Sequence, residues 1–138
     1  LLDISRAALD VARRNALEIL PGGNFEFLRS DFYQALTADR RFDCIVSNPP
    51  YVHPDEEALL SPEVKCEPRI ALFADDPGGR LAEILEGARG RLLPGGFVIV
   101  ETSPRFASGG HEYALGRFSS AAVRTDSSGK ARFVVAHV

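Results

Sequence analysis

Residues 42–51 read Phe42-Asp43-Cys44-Ile45-Val46-Ser47-Asn48-Pro49-Pro50-Tyr51. The apolar run Cys44-Ile45-Val46 shows no alternation, which predicts a parallel strand from Phe42 to Ser47 that is buried on both faces. An amide side chain then stands at the carboxyl end of this strand, two prolines stiffen the backbone, and an aromatic ring follows. This combination suits the binding of a planar, weakly nucleophilic NH2 group in a fixed pose.

Strand and helix signals alternate before this segment. Leu1 to Asp3 read as the end of a strand, and Ser5 is a suitable N-cap for the helix that follows. Pro21-Gly22-Gly23 ends that helix, and Phe25–Leu28 is predicted to be a short strand.

The alternation continues after this segment. Residues 52–79 are polar, rich in proline and irregular, which is typical of a functional or mobile loop. The pattern then predicts a helix from Arg80, a turn at Pro94-Gly95-Gly96 and a strand at Phe97–Val100. A weak helix at His111–Arg117 follows. The chain is predicted to close with an antiparallel hairpin, whose strands are Ala121–Thr125 and Arg132–Val138. The apolar stripe of the helix from Arg80 is predicted to comprise Leu81, Ile84, Leu85, Ala88 and Leu92.

This order of elements predicts an α/β fold with a doubly wound, Rossmann-like sheet and a C-terminal antiparallel hairpin. In such sheets, ligands bind outside the carboxyl ends of the strands. Four polar side chains stand directly after predicted strands, namely Asp3, Asp31, Asn48 and Glu101. We therefore expect a ligand site at that edge.

Composition excludes several classes of function. The chain has 138 residues, 45% of them hydrophobic and 25% charged, with a net charge of −3 and a pI near 5.6. No general electrostatic attraction to nucleic acid is expected from this balance, and no apolar run is long enough to cross a membrane. Cys44 and Cys66 lack metal-ligand spacing and the three histidines are scattered, so we expect reduced thiols in a cytoplasmic protein and no metal site.

Asp3 and Asp31 each allow two interpretations. An acidic side chain between a strand and a helix accepts hydrogen bonds from ribose hydroxyls in nucleotide-binding α/β folds, but it also serves as a local cap. Asp31 in Ser30-Asp31-Phe32 is either an Asx turn or a contact to a purine. Their positions after successive strands, with Asn48 after the third, favour the ligand interpretation for all three.

Several motifs, taken together, resemble one family. They are Asp3-Ile4-Ser5, Ala8-Leu9, Ala12-Arg13-Arg14-Asn15-Ala16, Ser30-Asp31-Phe32, Asn48-Pro49-Pro50-Tyr51, Glu67-Pro68, Ala71-Leu72 and Leu93-Pro94-Gly95-Gly96. In order and spacing they resemble the HemK-type protein-glutamine methyltransferases. These enzymes use S-adenosylmethionine to methylate the glutamine of the Gly-Gly-Gln motif in peptide-chain release factors, which act in translation termination. The resemblance implies that residues 1–138 are part of a methyltransferase catalytic domain.

The resemblance also implies roles for individual residues. Asp3 would hold the ribose hydroxyls of the cofactor, Asp31 and Phe32 would border its adenine, and Asn48 counts among the cofactor-binding residues as well. As catalytic residues, Asn48 and the backbone carbonyl of Pro49 would each accept a hydrogen bond from the target NH2 group. Pro50 and Tyr51 would bind the substrate, with Tyr51 packed against the substrate side chain.

The chemistry agrees with these roles. The nitrogen of a primary amide is a poor nucleophile because its lone pair is delocalised into the carbonyl. Two acceptors that bind its hydrogens fix its orientation and stabilise the positive charge that develops on it. No strong base is needed before methyl transfer, since the alkylated nitrogen then loses a proton easily. The absence of an obvious catalytic His or Lys agrees with this mechanism.

The chain departs from the family pattern in three places. The glycine-rich loop and the first strand of the family do not precede Leu1. After Glu101, where the family shows a glycine and then a glutamine, this chain has Thr102-Ser103-Pro104-Arg105-Phe106. The helical N-terminal domain that helps to recognise the release factor is also absent. The chain also contains no methionine, so we expect it to be the C-terminal part of something longer. We expect the 138-residue chain alone to bind S-adenosylmethionine weakly and to be inactive, and we expect self-association, or a missing N-terminal segment, to complete its sheet.

Two alternatives stay open. The tetrapeptide Asn48-Pro49-Pro50-Tyr51 is shared with nucleic-acid methyltransferases that act on the amino groups of adenine or guanine. The Glu67-Pro68 and Ala71-Leu72 block favours the glutamine enzymes, and the acidic pI argues against direct binding of nucleic acid. The other alternative is a non-catalytic remnant that no longer binds the cofactor.

Overall fold

Residues 1–40 form one unit of the chain, a pair of short parallel strands joined by a helix. The computed structural model describes all 138 residues, and residues 41–138 form a second unit. In the first unit, strand β1 (Leu2–Asp3) pairs with strand β2 (Leu28–Arg29), and helix α1 (Arg6–Ile19) connects them. The hydroxyl of Ser5 caps the helix by accepting a hydrogen bond from the backbone N–H of Ala8 at 3.3 Å, as the sequence predicts.

The position of the second strand is a correction to the sequence prediction. We expected a strand at Phe25–Leu28, but only Leu28 and Arg29 pair with β1. The reason is the length of the partner: β1 offers two residues, and the register Leu2 with Leu28 and Asp3 with Arg29 uses both of them. A strand cannot extend where no neighbouring backbone is present to accept its hydrogen bonds.

The second unit contains a four-stranded mixed sheet in the order β3-β4-β6-β5. Strands β3 (Phe42–Ser47) and β4 (Leu92–Glu101) are parallel, while β5 (Ser120–Thr125) and β6 (Ala131–His137) form the antiparallel hairpin predicted from the sequence. Helices α3 (Pro77–Arg89) and α4 (Pro104–Leu115) pack on strands β4, β5 and β6. The core between these helices and the sheet is aliphatic and includes Leu81, Ile84, Leu85, Ala88, Val98, Val100, Ala107, Ala114, Val134 and Ala136.

The expected burial of β3 on both faces is wrong. The bounds Phe42–Ser47 are those predicted, but Val46 is 71% exposed and Cys44 is also exposed. Within its sheet, β3 pairs only with β4, so it is an edge strand. Because α3 and α4 pack on the other three strands, the apolar side chains on one face of β3 stay in solvent.

Three further boundaries differ from the sequence prediction. Helix α3 begins at Pro77 rather than at Arg80, because the carboxylate of Asp76 caps it by accepting a hydrogen bond from the N–H of Gly79 at 2.9 Å. Leu92, which was expected on this helix, is the first residue of β4. Helix α4 begins at Pro104 and not near His111, because Pro at the first helical position is compatible with a helix start.

The segment predicted as a turn at Pro94-Gly95-Gly96 lies inside β4 as a bulge. The register with β3 shifts between the pairs Phe42 with Leu92 and Cys44 with Phe97. Gly95 has a φ of +80°, and a Cβ atom at Gly96 would lie 2.9 Å from the carbonyl oxygens of Asp43 and Leu93. Both glycines are therefore required by the backbone geometry.

Within residues 52–79, predicted to be irregular, residues 77–79 belong to α3 and the remainder forms an ordered loop. It contains two 3₁₀ turns, Pro54–Leu59 and Val64–Cys66, and the one-turn helix α2 (Arg69–Leu72). An isolated parallel bridge closes its base: the N–H of Val52 donates to the carbonyl of Leu72 at 2.9 Å, and the N–H of Ala74 donates to the carbonyl of Val52 at 3.0 Å.

The longest helix in the chain has 14 residues, and none of the helices combines the length and apolarity of a membrane span.

Two adjacent glycines of α4 give a matched test of this packing. A Cβ atom at Gly110 would overlap Cδ2 of buried Leu81 and lie 3.2 Å from Cγ2 of Val134, whereas nothing lies within 4 Å of one at Gly109. Overpacking costs about 1–3 kcal/mol and the helix propensity of Ala returns about 1 kcal/mol. We expect Gly110→Ala to lower the free energy of unfolding, measured by urea denaturation, and Gly109→Ala to leave it unchanged or raise it. Equal effects would contradict this packing.

Candidate functional site

The carboxyl end of β3 presents two hydrogen-bond acceptors without partners. The side chain of Asn48 is exposed, and neither its amide nor the carbonyl oxygen of Pro49 makes a hydrogen bond within the protein. Pro49 itself is buried, so its position is fixed by packing. The strand ladder ends at the pair Ser47 with Val100, and the two prolines offer no N–H that could extend it. The acceptors thus remain free for a ligand.

Backbone pairing fixes the chain both before and after Tyr51. Strand β3 ends four residues before it, and the bridge at Val52 follows directly after it. The ring is partly buried, and its hydroxyl donates a hydrogen bond to Oε1 of Glu101 at 2.9 Å. The sequence placed Glu101 at the carboxyl end of a strand but did not predict this contact.

Arg132 completes a cluster around the Tyr51 ring. Its guanidinium carbon lies 5.9 Å from the centre of the ring, within the range of a cation–π interaction. The backbone carbonyl of Arg132 accepts a hydrogen bond from the N–H of Thr102 at 2.9 Å, which fixes its position beside the end of β4. Arg132 is not among the site residues predicted from the sequence, and no local motif signals it, since it lies 81 positions from Tyr51.

Burial and electrostatics both raise the pKa of Tyr51. The largest cause is the burial of the phenol, followed by the hydrogen bond and the negative charge of Glu101, while Arg132 acts in the opposite direction. A raised pKa in the folded state means that the neutral phenol is favoured there. Its contribution to stability is therefore complete below pH 10 and is lost as the pH rises through the raised pKa.

The turn between β5 and β6 supports Arg132. Asp126 accepts hydrogen bonds from the N–H and the hydroxyl of Ser128 at 2.9 and 2.7 Å, and from the N–H of Lys130 at 3.1 Å. Its other oxygen lies 3.4 Å from Nε of Arg132. The hydroxyl of Ser128 and the N–H of Lys130 are the main reasons that the pKa of Asp126 falls to about 2.

The cofactor candidates lie in the unit formed by residues 1–40. Oδ1 of Asp3 accepts a hydrogen bond from the N–H of Ser5 at 2.7 Å, which is the local capping role considered above, and Oδ2 makes no hydrogen bond within the protein. The Asp3 carboxylate thus uses one oxygen for the local cap, and its other oxygen has no hydrogen-bond partner within the protein.

Asp31 lines an open cleft beyond the carboxyl ends of β1 and β2. The cleft has a volume of about 410 Å³ and is lined by Ile4, Arg29, Ser30, Asp31, Gln34 and Ala35. Phe32 next to it has a φ of +45°, an uncommon conformation for a residue other than glycine, and its carbonyl accepts a hydrogen bond from the hydroxyl of Ser30 at 2.7 Å. The structure therefore places Asp31 at the strand edge where the sequence predicts a ligand site, and its contact with a purine stays a prediction.

Comparison with solved structures identifies the class of fold. A methyltransferase from Pyrococcus furiosus superposes with a TM-score of 0.68 at 16% identity, covering 99% of this chain and 60% of that chain. A 16S rRNA N2 G1207 methyltransferase from Thermus thermophilus, solved with AdoMet and guanosine, gives a TM-score of 0.55 at 19% identity over 92% of this chain and 28% of the other. The chain has the Rossmann-like fold of class I methyltransferases.

Sequence comparison gives a more specific similarity. The Methyltransferase small domain family matches residues 1–63. A release factor glutamine methyltransferase from Bordetella pertussis is 45% identical over 100 residues, which are 72% of this chain and 36% of that protein. Its counterpart from Leptospira interrogans is 33% identical over 98% of this chain and 48% of its own length. The chain is thus similar in sequence to release factor glutamine methyltransferases, and it spans about half, or less, of the length of these relatives.

The Asp126 carboxylate gives a prediction for acid stability. A pKa lowered from 3.8 to about 2 contributes stability that is present above pH 3.8 and is lost as the pH falls through 2. We expect urea denaturation between pH 4 and pH 2 to show a steeper loss of stability for the native chain than for Asp126→Asn. Asp75→Asn, which changes an exposed carboxylate without hydrogen-bond partners, is the control and should follow the native chain. Parallel curves for all three would contradict the assignment.

Proposed function

We propose that this chain takes part in the transfer of a methyl group from S-adenosylmethionine to the side-chain amide nitrogen of the glutamine in the Gly-Gly-Gln motif of a peptide-chain release factor. The observation that carries this proposal is the pair of unpartnered acceptors at the end of β3, the Asn48 amide oxygen and the Pro49 carbonyl. The sequence similarity to release factor glutamine methyltransferases supports the choice of substrate.

The two acceptors account for the chemistry that an amide substrate requires. Both hydrogens of the glutamine NH2 group would be bound, one by Asn48 and the other by Pro49. This arrangement holds the nitrogen lone pair toward the methyl donor and stabilises the positive charge that develops on nitrogen. Proximity and orientation supply about 7–11 kcal/mol in well-oriented reactions, so a site without a strong base is sufficient.

The residues of the first unit fit the cofactor. Oδ2 of Asp3 would accept hydrogen bonds from the ribose hydroxyls, and Asp31 and Phe32 would border the adenine at the cleft beyond β1 and β2. When bound, S-adenosylmethionine supplies an electrophilic methyl group. The role of this chain's residues is to bind and orient the donor and to hold the acceptor nitrogen.

The remaining features of the proposal concern domain organisation and partners. Residues 1–138 would act as part of one catalytic domain in the cytoplasm, during translation termination, without membrane or direct nucleic-acid binding. The edge of β3 that faces away from β4 carries backbone groups without a strand partner, and such edges pair with further strands. We propose that self-association, or a further segment of the protein, covers this edge.

The choice of substrate can be tested directly. Methyl transfer from labelled S-adenosylmethionine is measured with a release factor, with DNA and with RNA as alternative acceptors. The enzyme in this assay is residues 1–138 completed by a further N-terminal segment, because the 138-residue chain alone is expected to be inactive. We expect label only in the release factor, on the glutamine of Gly-Gly-Gln. Label in a purine amino group would instead establish the nucleic-acid alternative. An rRNA methyltransferase has a similar fold, which is the reason for including this alternative in the test. Absence of transfer to all three would support the non-catalytic alternative.

Asn48→Ala tests the role of the amide. Loss of one preorganised hydrogen-bonding group costs about 10²–10³-fold in kcat in comparable sites, and we expect a decrease of this size. The fold should be retained, because the Asn48 side chain makes no hydrogen bond within the protein. Asn15→Ala, which changes an exposed asparagine on α1, is the matched control and should leave kcat unchanged. Turnover by Asn48→Ala at the native rate would refute the assigned role.

A further inference from the structure

Among the proposed substrate-binding groups, the Tyr51 ring is the one that is held by a network of other side chains. Its hydroxyl is bound to Glu101 at 2.9 Å, its face is covered by Arg132 at 5.9 Å, and Arg132 is held in turn by Asp126. These four side chains come from three separate segments of the second unit. A tyrosine that only filled space would not need a carboxylate at its hydroxyl, since solvent could satisfy that group.

We propose that Glu101 and Arg132 are positioning residues that fix the Tyr51 ring beside Asn48 and Pro49, so that the ring packs against the substrate glutamine. This inference rests on the proposed function for the identity of the substrate. The Glu101 hydrogen bond fixes the tilt of the ring, and Arg132 closes one of its faces. The ring is thereby left with one face for the substrate.

The strand register explains why these residues meet. Ser47 pairs with Val100 across β3 and β4, and Glu101 pairs with Phe133 across β4 and β6. Glu101 therefore stands one residue beyond the end of the β3 ladder. It lies on β4, which is the neighbour of β3, and β3 leads directly into residues 48–51. Arg132 precedes Phe133 on β6 and lies on the far side of Glu101.

The chain contains a second cluster of the same composition, which serves as a control. The hydroxyl of Tyr113 donates to Oε2 of Glu86 at 3.1 Å, and the guanidinium carbon of Arg117 lies 3.8 Å from the centre of the Tyr113 ring. This cluster is on the surface of α3 and α4 and includes none of residues 48–51. A substitution of Glu86 should alter the hydrogen bond of the Tyr113 hydroxyl and leave the contacts of the Tyr51 ring unchanged.

The contact itself is tested by NMR titration of the tyrosine rings. With 13C-labelled tyrosine, the signals of Tyr33, Tyr51 and Tyr113 are distinguished by comparison with Tyr51→Phe. The Tyr51 signal should titrate above pH 10 in the native chain and at lower pH in Glu101→Gln, because the carboxylate charge is removed. Glu86→Gln should leave the Tyr51 titration unchanged. A Tyr51 titration that does not respond to Glu101→Gln would overturn the positioning role.

The consequence for substrate is tested by binding of a Gly-Gly-Gln peptide, measured by NMR shift changes. Glu101→Leu, which removes the acceptor, should weaken peptide binding about tenfold, the equivalent of about 1.4 kcal/mol. Glu101→Gln keeps an acceptor oxygen and should restore most of the affinity. Equal affinity of the native chain and Glu101→Leu would overturn the inference. If the native chain itself does not bind the peptide, the proposed substrate is wrong, and the tyrosine titration alone decides whether Glu101 positions Tyr51.

Discussion

The parallel pairing of β3 with β4 is the constraint on which the candidate substrate site depends. Parallel strands end at the same edge of a sheet, so the residues that follow them are neighbours. The ladder ends at Ser47 and Val100, which brings Asn48 and Glu101 to adjacent positions. The prolines at 49 and 50 prevent any continuation of the ladder. The chain must therefore leave the sheet here with its acceptors unpaired, and the bridge between Val52 and Phe73 then fixes the segment that follows.

Under the proposed function, this arrangement would allow a site without a general base to act on an amide. The substrate nitrogen is a donor of two hydrogens before the reaction, and the site offers two acceptors rather than a proton acceptor of high pKa. Rigid acceptors are effective because they need no reorganisation as charge develops. The buried ring of Pro49 and the hydrogen-bonded ring of Tyr51 supply that rigidity. The same requirement explains why so much of the second unit, up to the β5–β6 turn, supports a single aromatic ring.

The sequence predicts the local parts of this structure and misses the long-range parts. The bounds of β3, the cap at Ser5 and the final hairpin follow from apolar runs, capping residues and turn residues that are close together in the chain. The bridge from Val52 to Phe73 and the bond from Tyr51 to Glu101 join residues 21 and 50 positions apart, and no periodicity signals them. The exposure of Val46 was also missed, because an apolar run indicates a strand but does not state which elements cover it.

The most direct measurement of the central claim is a crystal structure of the chain with a Gly-Gly-Gln peptide and the demethylated cofactor. The account predicts that the glutamine NH2 group donates one hydrogen bond to the side-chain oxygen of Asn48 and the other to the backbone carbonyl of Pro49, with the ring of Tyr51 against the glutamine side chain. A bound glutamine whose NH2 group faces solvent, or contacts other residues while these acceptors stay unoccupied, would contradict it.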